Sequence, residues 1–244
     1  MDEQTAPSPL FVAECGTLDF DVALEIQQRL VDVKLSGDPC DYLLMTRHAP
    51  VVTLGRSSDA DDTAAAGGLV RLGIPVRSVT RGGRATYHGP GQIVGYPVVA
   101  LLGARRDLHA YLKLLECAIV SALRNRAVPA CTRPGKTGVW VEGKKVASIG
   151  VAVRSWIAYH GFSINLTPDA LPPDGLSPCG MAPETVGCLQ DLGFDSSPGP
   201  YLRALGHAVA EHLGMQSVET TLQDVLTKFR KSGMMGIPTT IGGR

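Results

Sequence analysis

The order of apolar and polar positions divides the chain into alternating helical and extended stretches. From Asp19 to Ser36, "DFDVALEIQQRLVDVKLS" sets Phe20, Ala23, Leu24, Leu30 and Val31 along one helical face, with Asp19 as cap and Gly37 as stop. "DYLLMTR" and "VVTLG" predict two short strands joined by a turn at "HAP", with Met45, Val52 and Leu54 in the core. Residues 58–68, "SDADDTAAAGG", predict an exposed helix or loop. In "DLHAYLKLLECAIVSALRNRA", Leu108, Leu112, Leu115, Ile119 and Leu123 recur at helical intervals, a length that spans one face of a sheet.

"TGVWVEGKKVASIGVAVRSWIAYHGFSINL" predicts a three-strand meander with turns near "EGKK" and "RSW". Residues 167–180 are rich in Pro and Gly and predict a loop. Two more helices, "PYLRALGHAVAEHLG" and "TLQDVLTKFR", precede a flexible "IGGR". No internal repeat or low-complexity linker interrupts the pattern. The expectation is one domain over 1–244 of the α+β class, with a mixed, largely antiparallel sheet flanked by helices.

Composition narrows the function classes. At 44% hydrophobic and 19% charged residues, the chain can bury a sizeable core. Lys plus Arg balances Asp plus Glu at 23 each, so summed charge gives no general pull toward nucleic acid or an anionic membrane. No apolar stretch approaches membrane-spanning length, and the first residues carry neither a secretory nor an Arg-rich presequence pattern. Cys15, Cys40, Cys117, Cys131, Cys179 and Cys188 lie far apart without CxxC spacing, which argues against zinc or a disulfide framework. The expected home is a reduced cytoplasm.

Several motifs suggest chemistry and then fail. "RPGKTG" at 133–138 is a P-loop only if a Gly stands five residues before Gly135, where the chain has Ala130; a turn before a strand fits better. His207 and His212 are five apart, do not share a helix face and are expected at the surface, and His48, near Pro50, reads as a turn residue.

Two constellations remain. In "TRGGRATYHGPGQIVGYPVV", residues 80–99, five glycines leave backbone open to close approach beside Arg81, Tyr87 and His88. The other joins "EGKKVASIG", "AYHGFSIN" and "LSPCGM". Cys179 sits between Pro178 and Gly180, where its sulfur is presented, whereas Cys117 falls in an apolar helix. An ammonium such as that of Lys145 near a thiol favours the thiolate, so a Cys–Lys dyad suffices for acyl transfer.

The motifs "RGGRATYHGPGQIVGYPVV", "GKKVASIGVAV", "HGFSINL" and "PCG", in this order, resemble the lipoyl(octanoyl) transferases over about residues 40–217. The resemblance implies a fold similar to the catalytic module of biotin and lipoate protein ligases, with an acyltransferase core at about 40–217 and a helical tail at about 218–244. It implies transfer of an octanoyl or lipoyl group from acyl carrier protein to a lysine of lipoyl domains, those of 2-oxoacid dehydrogenases and the glycine cleavage H protein, through an enzyme thioester. No cofactor, ATP or metal is expected; the alternatives are an ATP-dependent lipoate or biotin-type ligase and a non-catalytic acyl-binding protein.

Carried onto this sequence, the resemblance makes Cys179 the nucleophile and Lys145 its partner, with Lys144 a surface neighbour. It assigns the acyl and thioester site to Arg81, Gly82, Gly83, Arg84, Ala85, Thr86, Tyr87 and His88, to Ser148, Ile149 and Gly150, and to Gly161, Phe162 and Ser163. Arg81, Tyr87 and His88 are expected to shape its polar mouth, and Arg47, Arg56 and Arg84 to form a basic rim for acidic partners. Two positions depart from the family pattern: Pro173, where an aromatic is usual, and Ala158, where a Thr often precedes "HG".

Overall fold

A computed structural model describes residues 7–103, 106–173 and 185–231. Its strands, in chain order, are β1 (Pro9–Thr17), β2 (Asp41–Arg47), β3 (Val51–Leu54), β4 (Val76–Ser78), β5 (Thr86–His88), β6 (Gln92–Ala100), β7 (Cys131–Arg133), β8 (Lys136–Val141), β9 (Lys144–Arg154), β10 (Ile157–Asn165) and β11 (Gln216–Thr221). The helices are α1 (Phe20–Leu35), α2 (Ala60–Val70), α3 (Leu108–Arg124), α4 (Pro198–His212) and α5 (Leu222–Lys231).

The main sheet runs β11-β1-β2-β6-β10-β9-β8-β7. β1 pairs in parallel with β11 and β2, and every later neighbour is antiparallel. This is the mixed, largely antiparallel sheet expected. The period of two along β2 sends Leu43 and Met45 to the face covered by α3 and α4, and Tyr42 and Leu44 to the face covered by α1 and α5. Both faces are therefore buried, which is why "DYLLM" carries so few polar positions.

Caps hold the helices at the ends the sequence marks. Asp19 Oδ1 accepts the N–H groups of Asp21 (2.8 Å) and Val22 (3.3 Å), and Asp107 accepts those of His109 and Ala110. The meander closes through two tight turns with positive φ at both central residues, Glu142–Gly143 and Ser155–Trp156, which match strand twist. Residues 131–141 form the β7–β8 hairpin around Gly135, a turn into a strand and not a phosphate loop.

β2 and β3 are the two strands expected on either side of "HAP", and the turn between them carries the chain from one sheet to another: β3 belongs to a small sheet ordered β4-β3-β5, on which α2 buries Ala66 and Leu69 against Val52, Ala85 and Tyr87. Other expectations need correction. The main sheet also draws β1 from well before residue 40, outside the core span the resemblance implied. The tail opens as strand β11 over Gln216–Thr221 before α5 begins. "IGGR" and 174–180 of the expected loop lie outside the described residues, while Pro168–Ala170 form a single 3-10 turn. Cys117 is half-buried on α3, His207 is exposed, and His212 bonds the Ala208 carbonyl. Among the described residues no helix is long and apolar enough to cross a membrane.

At the centre of the sheet β6 and β10 come unusually close. A Cβ on Gly161 would stand 2.6 Å from Pro97 Cδ and collide with the Gly95 carbonyl oxygen, and one on Gly95 would enter the Phe162 ring. Gly161→Ala is therefore expected to lower stability by about 1–3 kcal/mol through overpacking, read as a lower urea midpoint at unchanged slope.

Candidate active site

The loop between β4 and β5 is pinned from both sides. Arg81 is buried, and its guanidinium folds back on backbone: one terminal nitrogen donates to the carbonyls of Gly82 (3.0 Å) and Arg84 (2.9 Å), the other to Thr53 O (2.9 Å) and Oγ1 (2.6 Å). Gly82 N–H donates to Val151 O at 2.9 Å, which ties the loop to β9. A Cβ on Gly150 would meet Arg81 Cδ at 3.0 Å and Gly82 O at 3.1 Å. Glycine is thus required here for loop-to-sheet contact.

Behind this loop lies a narrow cleft of about 50 Å³, partly open to solvent. Of the residues expected to line it, Arg81, Gly82, Gly83, Thr86, His88, Lys145, Ser148, Ile149, Gly150, Gly161, Phe162 and Ser163 do so. The β9–β10 ladder sets Gly150 opposite Gly161, Ile149 opposite Phe162 and Ser148 opposite Ser163. Phe20, Val94 and Tyr96 add apolar surface that the sequence reading did not assign to the site.

Arg84, Ala85 and Tyr87 are placed elsewhere. Arg84 pairs with Asp59 (2.6 Å) and Asp62 (2.9 Å) at the capping box of α2, so it holds that helix and is not a rim charge. Ala85 and Tyr87 pack in the small-sheet core, leaving His88 as the imidazole of that strand that faces the cleft. Arg47 and Arg56 are exposed. Lys144 is half-buried, with Gly187 packed against its side chain.

Of three buried histidines, His88 and His160 line the cleft and His48 packs against His88. His48 lies in the turn between β2 and β3, as expected, and is fully buried there: its Nδ1 lies 2.7 Å from Leu18 O, which requires a proton there, so Nε2 accepts from the Tyr96 hydroxyl at 2.7 Å. His88 Nδ1 donates to Gln92 Oε1 (3.0 Å), while the Gln92 amide donates to Tyr87 O, Asn165 Oδ1 and Ala170 O. That clamp leaves the Nε2 lone pair of His88 as the acceptor. Phe20 stacks on His88 and meets His48 edge-on.

His160 adopts φ 59, in the left-handed region, inside strand β10. Its N–H, opposite the stretch around Pro97, donates to Gln27 Oε1 of α1 at 2.9 Å, and its Nε2 meets Thr80 Oγ1 at 3.2 Å. Burial pushes the His88 pKa down to about 3, and the Arg81 charge lowers it further. Burial and Arg81 lower that of His160 to about 4, and burial lowers that of His48. All three rings are neutral at pH 7.

Lys145 is the buried cation of β9. Its ammonium stands 5.6 Å from the Trp140 ring centroid, and its side chain crosses Gly138. Val186 bridges Lys145, and Gly187 N–H donates to Lys145 O at 3.1 Å. Cys179 lies outside the described residues. Among the described residues no cluster of His, Cys, Asp or Glu is arranged to hold a metal.

The family described as Lipoyl protein ligase A/B catalytic domain matches residues 19–199. An octanoyltransferase of Geotalea uraniireducens is 43% identical over 161 residues, covering 66% of this chain and 72% of the relative. One of Geobacter metallireducens is 40% identical over 163 residues, covering 67% and 74%. In fold, the chain resembles a bi-partite lipoate protein ligase from Thermoplasma acidophilum (TM-score 0.67, 18% identity, 97% and 100% covered). It also resembles a lipoate-protein ligase A bound with ATP (TM-score 0.69, 20% identity, 92% and 93% covered). With a matching family model over most of its length and two-fifths of the residues shared over two thirds of it, the chain belongs to the lipoyl protein ligase A/B catalytic domain family and, within it, to the octanoyltransferases.

Proposed function

We propose that this chain moves an octanoyl group from octanoyl-acyl carrier protein to a specific lysine of lipoyl domains, through a thioester on Cys179 and without ATP. The observation that carries this reading is the buried ammonium of Lys145 at a partly apolar cleft, in a chain about 40% identical to octanoyltransferases. The acceptors are the lipoyl domains of 2-oxoacid dehydrogenases and the glycine cleavage H protein, and the setting is the cytoplasm.

In the first half-reaction the Cys179 thiolate attacks the donor's thioester carbonyl, the new carbon–sulfur bond forms, and the carrier thiolate leaves with the proton of the Lys145 ammonium, so that Lys145 is left as a neutral amine. One thioester replaces another, so no external energy source is needed. In the second, the acceptor lysine's neutral amine attacks the enzyme thioester, Lys145 takes the proton lost from nitrogen, and the sulfur leaves as the amide forms. Gly82 N–H is committed to Val151 O and is therefore not a donor for the oxyanion. Phe20, Val94, Ile149 and Phe162 offer the acyl chain apolar contact, worth about 0.8 kcal/mol per buried methylene. The neutral histidines add no repulsion to the incoming ammonium.

The test is intact-mass measurement after incubation with octanoyl-carrier protein. Wild type is expected to gain one hydroxylamine-labile octanoyl group, and Cys179→Ala none. A wild-type protein that modifies a lipoyl domain without ever carrying the adduct rules out the covalent route. Modification by Cys179→Ala from free octanoate and ATP supports a ligase instead.

A further inference from the structure

Lys145 does not enter the cleft from an ordinary strand position. β8 and β9 pair Val139 with Ala147 but Trp140 with Lys145, a register shift that places one extra residue, Val146, on β9. Such bulges re-aim a side chain and twist the strand locally. Opposite the bulge stands Gly138 at φ 133, a conformation that L side chains rarely adopt. A Cβ there would lie 2.5 Å from Lys145 Cε, 3.3 Å from its Nζ and 2.6 Å from Ala147 O. The aliphatic stem of Lys145 therefore occupies the space a side chain at 138 would take, with the Trp140 ring near the ammonium.

A second group holds Gly138 itself. Glu116 lies on the buried face of α3, only 8% exposed, where a carboxylate is costly unless hydrogen-bonded. Its Oε1 accepts the Gly138 N–H at 2.9 Å. Its Oε2 accepts from Lys113 Nζ at 3.2 Å, and that ammonium also reaches Thr132 Oγ1 at 3.1 Å. An apolar residue would pack this helix face with less desolvation, so the carboxylate's distinct contribution is to fix the peptide at 138.

We infer that Glu116 and Gly138 are positioning residues which form the seat that aims the Lys145 ammonium into the cleft. Glu116 fixes the backbone, the bare Cα of Gly138 leaves the channel, and the Val146 bulge points the side chain through it. This inference rests on the proposed role of Lys145 in acyl transfer, and a direct readout of the amine keeps the two separable.

The experiment compares wild type, Gly138→Ala, Glu116→Ala, Glu116→Gln and Lys145→Ala by two measurements on the folded fraction from gel filtration. One is competitive acetic anhydride labelling of Lys145 across pH, read by peptide mass spectrometry; the other is kcat and KM for octanoyl-carrier protein. Gly138→Ala and Glu116→Ala are expected to shift the labelling profile of Lys145 and to lower kcat by about 10²-fold, as for a displaced reacting group, with KM changed far less. Glu116→Gln, whose amide oxygen accepts the same N–H, is expected to restore most of the rate. Should Gly138→Ala not fold, the Glu116 pair carries the comparison. A Glu116→Ala protein with wild-type labelling and kcat, beside an inactive Lys145→Ala, overturns the seat alone. Full activity in Lys145→Ala overturns the assignment of Lys145, whatever the labelling shows.

Discussion

Replacing Lys145 by methionine is expected to lower octanoyl transfer by about 10²- to 10⁴-fold, the usual contribution of a positioned proton acceptor, with no loss of thermal stability. The two halves of this expectation come from the same facts. Lys145 is only 6% exposed and its stem fills the channel over Gly138. Methionine keeps most of that volume and replaces an ammonium whose burial costs free energy. A purely structural lysine would give the opposite pair of results, a stability loss with activity retained. Thermal melting and steady-state transfer to a lipoyl domain are the two measurements needed. A variant that melts below wild type yet transfers octanoyl at full rate would remove Lys145 from the chemistry.

What the sequence made legible depended on how local its cause was. α1 and α3 follow from apolar spacing and a capping Asp at positions 19 and 107, all within a few residues of one another. The β8–β10 meander follows likewise from two turns and the β-branched runs between them. β1 and β11 were missed because their pairing is parallel and joins residues some two hundred positions apart, and because "QSVETT" is a polar edge strand with no apolar face to announce it. The same distinction holds at the site. The glycine-rich stretch around Arg81 was visible as a motif, yet its purpose, close contact with Gly150 and Val151, needs a strand seventy residues away. His48, legible only as part of a turn, and His160, within a predicted strand, gave no local signal of their burial; the Tyr96 and Gln27 partners that define them come from other elements.

Those buried histidines make acid the condition to which the fold is most exposed: stability is expected to be highest above about pH 6.5 and to fall steeply as pH drops toward 4. His88 and His160 ionise near 6.5 when unfolded but only at about 3 and about 4 when folded. Between those values the unfolded chain binds protons that the folded one refuses, so each group removes stability as pH falls, at about 1.4 kcal/mol per pH unit. His48 is shifted in the same direction. Summed over two units or more, the loss approaches a typical net stability of roughly 5–15 kcal/mol. The shifts begin with burial, and Arg81 strengthens them, because its charge faces both His88 and His160. Carboxylates held low by their partners, such as Asp21 beside Arg77, ordinarily titrate at about 3.9 and release their stabilisation only at more acidic pH, so the two causes occupy separate windows. His160→Asn tolerates the left-handed backbone and cannot ionise; between pH 6 and 4.5 its urea-derived stability is expected to fall with a slope about 1.4 kcal/mol per unit shallower than wild type. An unaltered slope in that variant, or a wild-type protein equally stable at pH 7 and 4.5, would mean that the imidazoles are not held neutral by the fold.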